Sequence, residues 1–296
     1  MALALVAARR EELAAVLRLS PWRPWGSRSQ SAWRQRRAPE GALAYQRRDH
    51  TVSAILTGAG RAQTERAMSW LMENERPDSI LSIGFAGACT PNLDVGDLVL
   101  ATRLHHIGGS PFDWDLESLS PNSPDSPTSP NFKDSKDDGV RSAPKIHDEL
   151  VADADMLEKA RTAVEMNGID FTPAPTLTVD SLVRTSGLSA WLGEAYGVAA
   201  VDRESYWVAA AAASAGVPCL SVRSIAYGVN ETLPEMASRL PDTPSGGRFG
   251  PVFRHGTRHP RTMWRHMSDL RTARNAVATL TEVLTGSAII ANGEGP

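Results

Sequence analysis

Cysteine is nearly absent: the 296 residues include Cys89 and Cys219 and no other. The two lie far apart, each in an apolar strand-like context, so they build neither a disulfide framework nor a metal-ligand spacing. They read as buried thiols of a reducing compartment. No sign of charge dominates. With 31 Lys and Arg against 34 Asp and Glu, the net charge of -3 gives no global attraction for nucleic acid or membrane. Long hydrophobic runs are missing too, and the apolar Leu3 to Ala8 precedes Arg9 and Arg10, the reverse of a signal peptide's order. These absences predict a soluble cytoplasmic protein without stable membrane insertion. The length permits a large core, in one α/β domain with insertions or in two domains.

The most informative stretch is Ser79 to Thr102, SILSIGFAGACTPNLDVGDLVLAT. Ile80 to Ile83 is too short for a helix and suits a strand buried on both faces. Gly84-Phe85-Ala86-Gly87 then predicts a sharp turn at the strand's end, with backbone N–H groups free to approach a ligand. That is where open α/β sheets bind ligands, although a purely structural turn fits equally well. Thr90-Pro91-Asn92 reads as a reversal, and Asp97 to Thr102 as the next strand.

In chain order, Leu3 to Ala7 reads as a strand and Glu11 to Leu19 as a helix. Its Glu11 and Glu12 have a bland explanation as acids at a helix N-terminus. Gly41 to Arg47 and Thr51 to Thr57 suggest a hairpin around Arg48-Asp49, the second strand more central. Gly58-Ala59-Gly60 forms a second glycine turn, before a helix from Arg61 to about Asn74 with Ala62, Ala67, Met68 and Leu71 inward. Further on, Asp153 to Asn167 and Ser186 to Tyr196 read as helices, Pro175 to Val179 and Val198 to Val201 as strands. Tyr206 to Ala215 follows as a helix and Cys219 to Ala226 as the last core strand, where Arg223 needs a partner if buried. A long helix from Thr262 to about Leu284 carries Met263, Met267, Leu270, Ala273, Val277 and Leu280 at core spacing.

Two segments break this pattern. Pro21 to Arg37 interleaves Trp22, Trp25 and Trp33 with five arginines. Such a loop can stack on bases, bind single strands or lie at a lipid interface, yet a mobile cationic surface segment is preferred because no nucleic-acid module accompanies it. Residues 110–144 are rich in Ser, Pro, Asp and Lys and read as a flexible insertion, with His105 and His106 before it as a partly exposed structural pair of poor metal spacing. The expected organisation is one domain over 1–286, interrupted at about 110–144, with a disordered tail over 287–296. Strand and helix alternation points to a three-layer α/β protein.

Several strand ends carry candidate site residues: Glu12, the two glycine turns, Asp180 to Val183, Glu204 and Tyr227. Paired carboxylates suit cleavage of a sugar-like bond, one activating water while the other holds hydroxyls as an oxocarbenium-like transition state develops. Through VAARREEL, LTGAGRA, SIGFAGACTPNLDVGDLVLAT, TVDSLV and VAAVDRESYWVAAAAASAGVPCLSVRSIA, the chain resembles the purine nucleoside phosphorylase and uridine phosphorylase superfamily. It is most similar to the methylthioadenosine/S-adenosylhomocysteine nucleosidases and the hopanoid-associated adenosylhopane nucleosidases, the latter through a C-terminal LP...GGR...HPRTM...L pattern.

The resemblance implies a single α/β domain with a mixed twisted central sheet flanked by helices, assembled as a homodimer or larger, and no cofactor or metal. It implies Glu12 as the water-activating base and Glu204 as the ribose ligand. Gly58, Ala59, Gly60, Arg61, Phe85, Ala86 and Gly87 would line ribose and base, and Leu182 and Val183 the base pocket. Where phosphorylases keep a phosphate-binding arginine this chain has Ser82-Ile83, which favours water as nucleophile. Two positions depart from the family: Arg203 stands for its methionine, and Tyr227 for the aspartate that protonates the purine. The expectation is a purine nucleosidase acting on a 5′-substituted adenosine-type nucleoside. A phosphorylase and a catalytically impaired nucleoside-binding protein are the alternatives. An apolar 5′ group on the substrate would be covered by Trp22, Trp25 and Trp33.

Overall fold

The computed structural model describes residues 2–17, 32–108, 146, 148–233 and 260–286. The chain opens with β1 (Leu3–Ala7), α1 (Arg10–Leu13), β2 (Trp33–Arg36), β3 (Leu43–Arg47), β4 (Val52–Leu56) and α2 (Arg61–Asn74). It continues through β5 (Ser79–Ala88), β6 (Leu98–Ile107), β7 (Asp148–Val151), α3 (Ala154–Met166), β8 (Thr172–Val179) and α4 (Ser186–Tyr196). The last described elements are β9 (Ala200–Asp202), α5 (Ser205–Ser214), β10 (Cys219–Tyr227) and α6 (Pro260–Gly286).

The strands form one mixed ten-stranded sheet, the expected α/β architecture. β1 is buried along its whole length because it lies between parallel β4 and β5, and successive side chains feed opposite faces. Leu3, Leu5 and Ala7 pack with α3 and α6 residues such as Met156, Ala160, Val277 and Leu280. Ala4 and Val6 pack on the other face with Ala67, Met68 and Leu71 of α2 and Val208 and Ala212 of α5. The far half of the sheet closes on itself: β5 bonds β10, β10 bonds β6, β6 bonds β8, β8 bonds β9, and β9 returns to β5. Local chemistry fixes the helix ends. Asp153 caps α3 by accepting from the Met156 N–H at 2.9 Å, and Gly197 ends α4 in the left-handed region.

Several sequence expectations are corrected. β5 does not turn at Gly84 but runs to Ala88, because β10 and then β9 keep pairing with its glycine-rich half. α1 has four residues; Leu19 lies outside the described residues. Part of the Trp/Arg segment is ordered as β2, paired antiparallel with β3, and Trp33 packs against the main core cluster. Trp22, Trp25, residues 110–144, Met263's side chain and residues 287–296 lie outside what is described. His105 and His106 are buried within β6, which extends to Ile107 because β7 and β8 flank it. Ala62 faces solvent while Thr64 turns inward. On α6, Met267 is exposed and His266 takes the buried position, in line with Ala273, Val277 and Leu280. Cys89 is buried and Cys219 half-buried, and both are free thiols.

Candidate active site

Glu12 is placed by the shortness of α1. As third residue of the helix it reaches back, so that its Oε2 accepts the N–H groups of Ala8 and Arg9, each at 2.8 Å. Those bonds satisfy the two N–H groups just ahead of α1, and they also turn the carboxylate over the sheet rather than into water. Its Oε1 accepts the Phe85 N–H of β5 at 3.2 Å. The close approach depends on Gly84. A Cβ there would stand 3.2 Å from Glu12 Oε1 and 3.5 Å from the Arg223 guanidinium carbon.

Glu12 is 5% exposed. Burial pushes its pKa up from 4.5 to about 7, and the negative charge of Glu204 adds to the rise; the N–H donors and Arg223 offset only part of it. At neutral pH a substantial fraction is an ionised carboxylate able to take a proton.

Glu204 precedes α5 and is half-buried. Its Oε1 accepts the Gly60 N–H at 2.7 Å, which ties the second glycine turn to the site. Gly60 has φ 85°, a conformation that side-chain-bearing residues rarely adopt. Burial also raises the Glu204 pKa, with Asp202 contributing and Arg203 opposing.

Between the two glutamates lies an ion pair. Arg223, 3% exposed, donates from Nε to Asp202 Oδ2 at 2.5 Å. Its Nη1 donates to the carbonyls of Ser82 at 3.1 Å and Val222 at 2.8 Å, and its Nη2 to Ser82 Oγ at 3.0 Å. Asp202 Oδ1 accepts the hydroxyls of Thr178 at 2.7 Å and Ser205 at 2.9 Å. Both charges are thus paired and hydrogen-bonded, the condition under which burying them is tolerable.

A small, partly open pocket lies here, and its lining includes Glu12, Thr57, Ser82, Phe85, Glu204 and Arg223. Of the expected residues, Glu12, Phe85 and Glu204 are brought together there, and Gly60 joins through its hydrogen bond. Gly58, with φ 88°, sits one strand end away. Ala59 and Ala86 are buried in the scaffold. Leu182 is half-buried, and Val183 packs with Leu177 and Trp191 rather than on the cavity. Gly87 faces Tyr227 across the β5–β10 pairing. The Tyr227 ring lies parallel to His266 of α6, centroids 5.9 Å apart. Burial pushes the tyrosine's pKa up to about 12, Arg9 pulling down and Glu12 pushing up, so its hydroxyl stays protonated. His266, 7% exposed, is shifted down by burial and favours the neutral ring.

Sequence reasoning assigns no site role to Asp202 or His266, and treats Arg223 only as a charge in search of a partner. An arginine within an apolar strand was the one available signal.

The fold and these carboxylates define a class of α/β proteins with a polar cleft at the strand ends. More specifically, the phosphorylase superfamily pattern matches residues 3–240, and the chain belongs to that family. It is 23% identical over 182 residues to a 5′-methylthioadenosine/S-adenosylhomocysteine nucleosidase of Maridesulfovibrio salexigens, covering 61% of this chain and 69% of that protein. A nucleosidase of the same description from Pseudoalteromonas translucida is 33% identical over 57 residues, only 19% of this chain and 24% of its own. The fold is similar to the Neisseria meningitidis 5′-methylthioadenosine/S-adenosylhomocysteine nucleosidase in complex with methylthio-immucillin-A. That match has a TM-score of 0.63 at 15% identity and covers 96% of this chain and 98% of the other. Futalosine hydrolase of Helicobacter pylori matches with a TM-score of 0.64 at 14% identity, covering 97% of each chain.

Proposed function

We propose that the chain is a cytoplasmic nucleosidase, assembled as a homodimer, that hydrolyses the N-glycosidic bond of a 5′-substituted adenosine-type nucleoside to free base and a ribosyl product. The observation that carries this reading is Glu12, a buried carboxylate held by three backbone N–H groups, poised near pH 7 and sharing a cavity with Glu204. As the bond to the base lengthens, positive charge grows on the sugar. Glu12 takes a proton from the attacking water, and Glu204 accepts the vicinal ribose hydroxyls. Tyr227 donates a hydrogen bond to the departing base but transfers its proton reluctantly.

Water is favoured over phosphate as the nucleophile. The buried arginine beside the cavity already donates to Asp202, Ser82 and Val222, so it offers phosphate little. Tyr227 also favours a second reading, a nucleoside-binding protein that has lost the chemistry. Incubation with 5′-methylthioadenosine in phosphate-free buffer separates these. Free adenine is expected, with no acceleration by added phosphate and no ribose 1-phosphate. Saturating binding by calorimetry without any released base would overturn the nucleosidase and support the binding protein.

A further inference from the structure

α6 buries one imidazole in an otherwise apolar row. His266 is followed along the helix by Val277, Leu280 and Leu284, which share a core cluster with Leu220 and Val222 of β10. Burying a polar ring costs desolvation, and this one lies against another ring rather than among aliphatic side chains alone. Its plane is 7° from that of Tyr227, at a centroid separation of 5.9 Å that falls within the range of aromatic pairs.

Glu231 ties the two ring-bearing segments together. Its Oε2 accepts the N–H of Gly228, the residue after Tyr227, at 3.2 Å, and its Oε1 accepts Arg265 Nη2, from the residue before His266, at 2.7 Å. Glu231 and Asp269 also bring negative charge to bear on His266, against a burial that favours the neutral ring. Tyr227 ends β10 opposite Gly87 of β5, where a Cβ would stand 3.9 Å from the phenol ring. The charges of Arg9 and Glu12 act on its hydroxyl, so the phenol lies within electrostatic reach of the pocket's base.

A carboxylic acid has two oxygens, and one can be anchored while the other donates. A phenol has a single oxygen, with its O–H bond close to the ring plane. The direction in which it donates therefore follows from how the ring is packed.

We propose that His266 is a positioning residue: stacked flat against Tyr227, it fixes the plane of the phenol and so the direction in which the hydroxyl donates to the departing base. The inference rests on the nucleosidase reading and adds a residue of the last helix to its site.

The test is a double-mutant cycle on 5′-methylthioadenosine hydrolysis with His266→Ala, Tyr227→Phe and the two together. His266→Ala is expected to lower kcat about three- to tenfold, the scale of one aromatic pair, with KM little changed because Glu204 still holds the ribose. In the Tyr227→Phe background the same substitution should cause no further loss, since the hydroxyl it directs is gone. His266→Phe keeps a flat ring and should retain the rate. His266→Leu fills the space without one and should lose it, which separates the effect from a folding defect caused by the cavity in His266→Ala. Equal losses in both backgrounds, a His266→Phe variant as impaired as His266→Leu, or an unchanged kcat in His266→Leu would overturn the proposal. If the wild type releases no base, the nucleosidase reading fails, and the cycle is read in adenine affinity by calorimetry. A loss on His266→Leu that requires the Tyr227 hydroxyl would then support the pairing, and additive losses or no adenine binding would overturn it.

Discussion

Glu12 and Asp202 are both buried carboxylates near the same buried Arg223, yet their surroundings prepare them for different work. Asp202 touches a guanidinium and two hydroxyls. Glu12 is held by N–H groups alone, and its neighbouring carboxylate pushes its proton affinity further up. Backbone dipoles orient an acid without cancelling its charge, whereas a cation in contact commits it. Under the proposed function, the first is the reactive group and the second part of the framework.

The sharpest test of that division is Glu12→Gln, which should lower kcat about 100- to 10,000-fold while nucleoside binding persists, the range for a positioned general base. The wild-type rate should fall on the acid side of about pH 7. Asp202→Ala should act on stability instead, costing about 3–5 kcal/mol because Arg223 is left buried without its counter-charge. Adding Arg223→Met should recover part of that loss in thermal denaturation, and no recovery would mean the pair is not the source of the cost.

A smaller effect links the two. Because the fold raises the Glu12 pKa from 4.5 to about 7, the native state holds this proton more tightly than the unfolded chain. The stability it contributes is complete below about pH 4.5 and is lost as pH rises through about 7. Glu12→Gln should therefore raise the unfolding free energy at pH 8 by about 3 kcal/mol, seen as a higher melting temperature, and change little at pH 4. The smallest expected change, about tenfold in turnover, comes from Tyr227→Asp, which would restore a stronger acid near the base. An unchanged rate in a folded, nucleoside-binding variant would remove Tyr227 from the acid's position.

Local pattern made much of the fold legible. β1, α2 and α4 follow from apolar spacing and glycine ends, and their bounds agree with the expectation residue for residue. WRQR and DELV carry no such pattern, since β2 and β7 are rim strands with little to bury. Closure of the sheet was invisible because it joins β5 to β10 far along the chain. Gly84 misled for a physical reason: its missing side chain serves two approaching charges inside a strand, not a turn. Family resemblance singles out Glu12 and Glu204, and the fold brings both to one pocket, but His266 is hidden in a row of methionines whose spacing alone cannot say which member faces inward.

Among the described residues, the ring of β5, β9, β8, β6 and β10 leaves the sheet with rims at β2 and β7, each four residues long. Arg34 and Arg36 stand exposed on one rim, Asp148 and Glu149 on the other. Strands that short, lined with charge, are poor templates for a stray strand from another molecule. A wide sheet can thus be carried at high concentration without seeding aggregation, and the exposed Val151 on β7 is the point where that protection is thinnest.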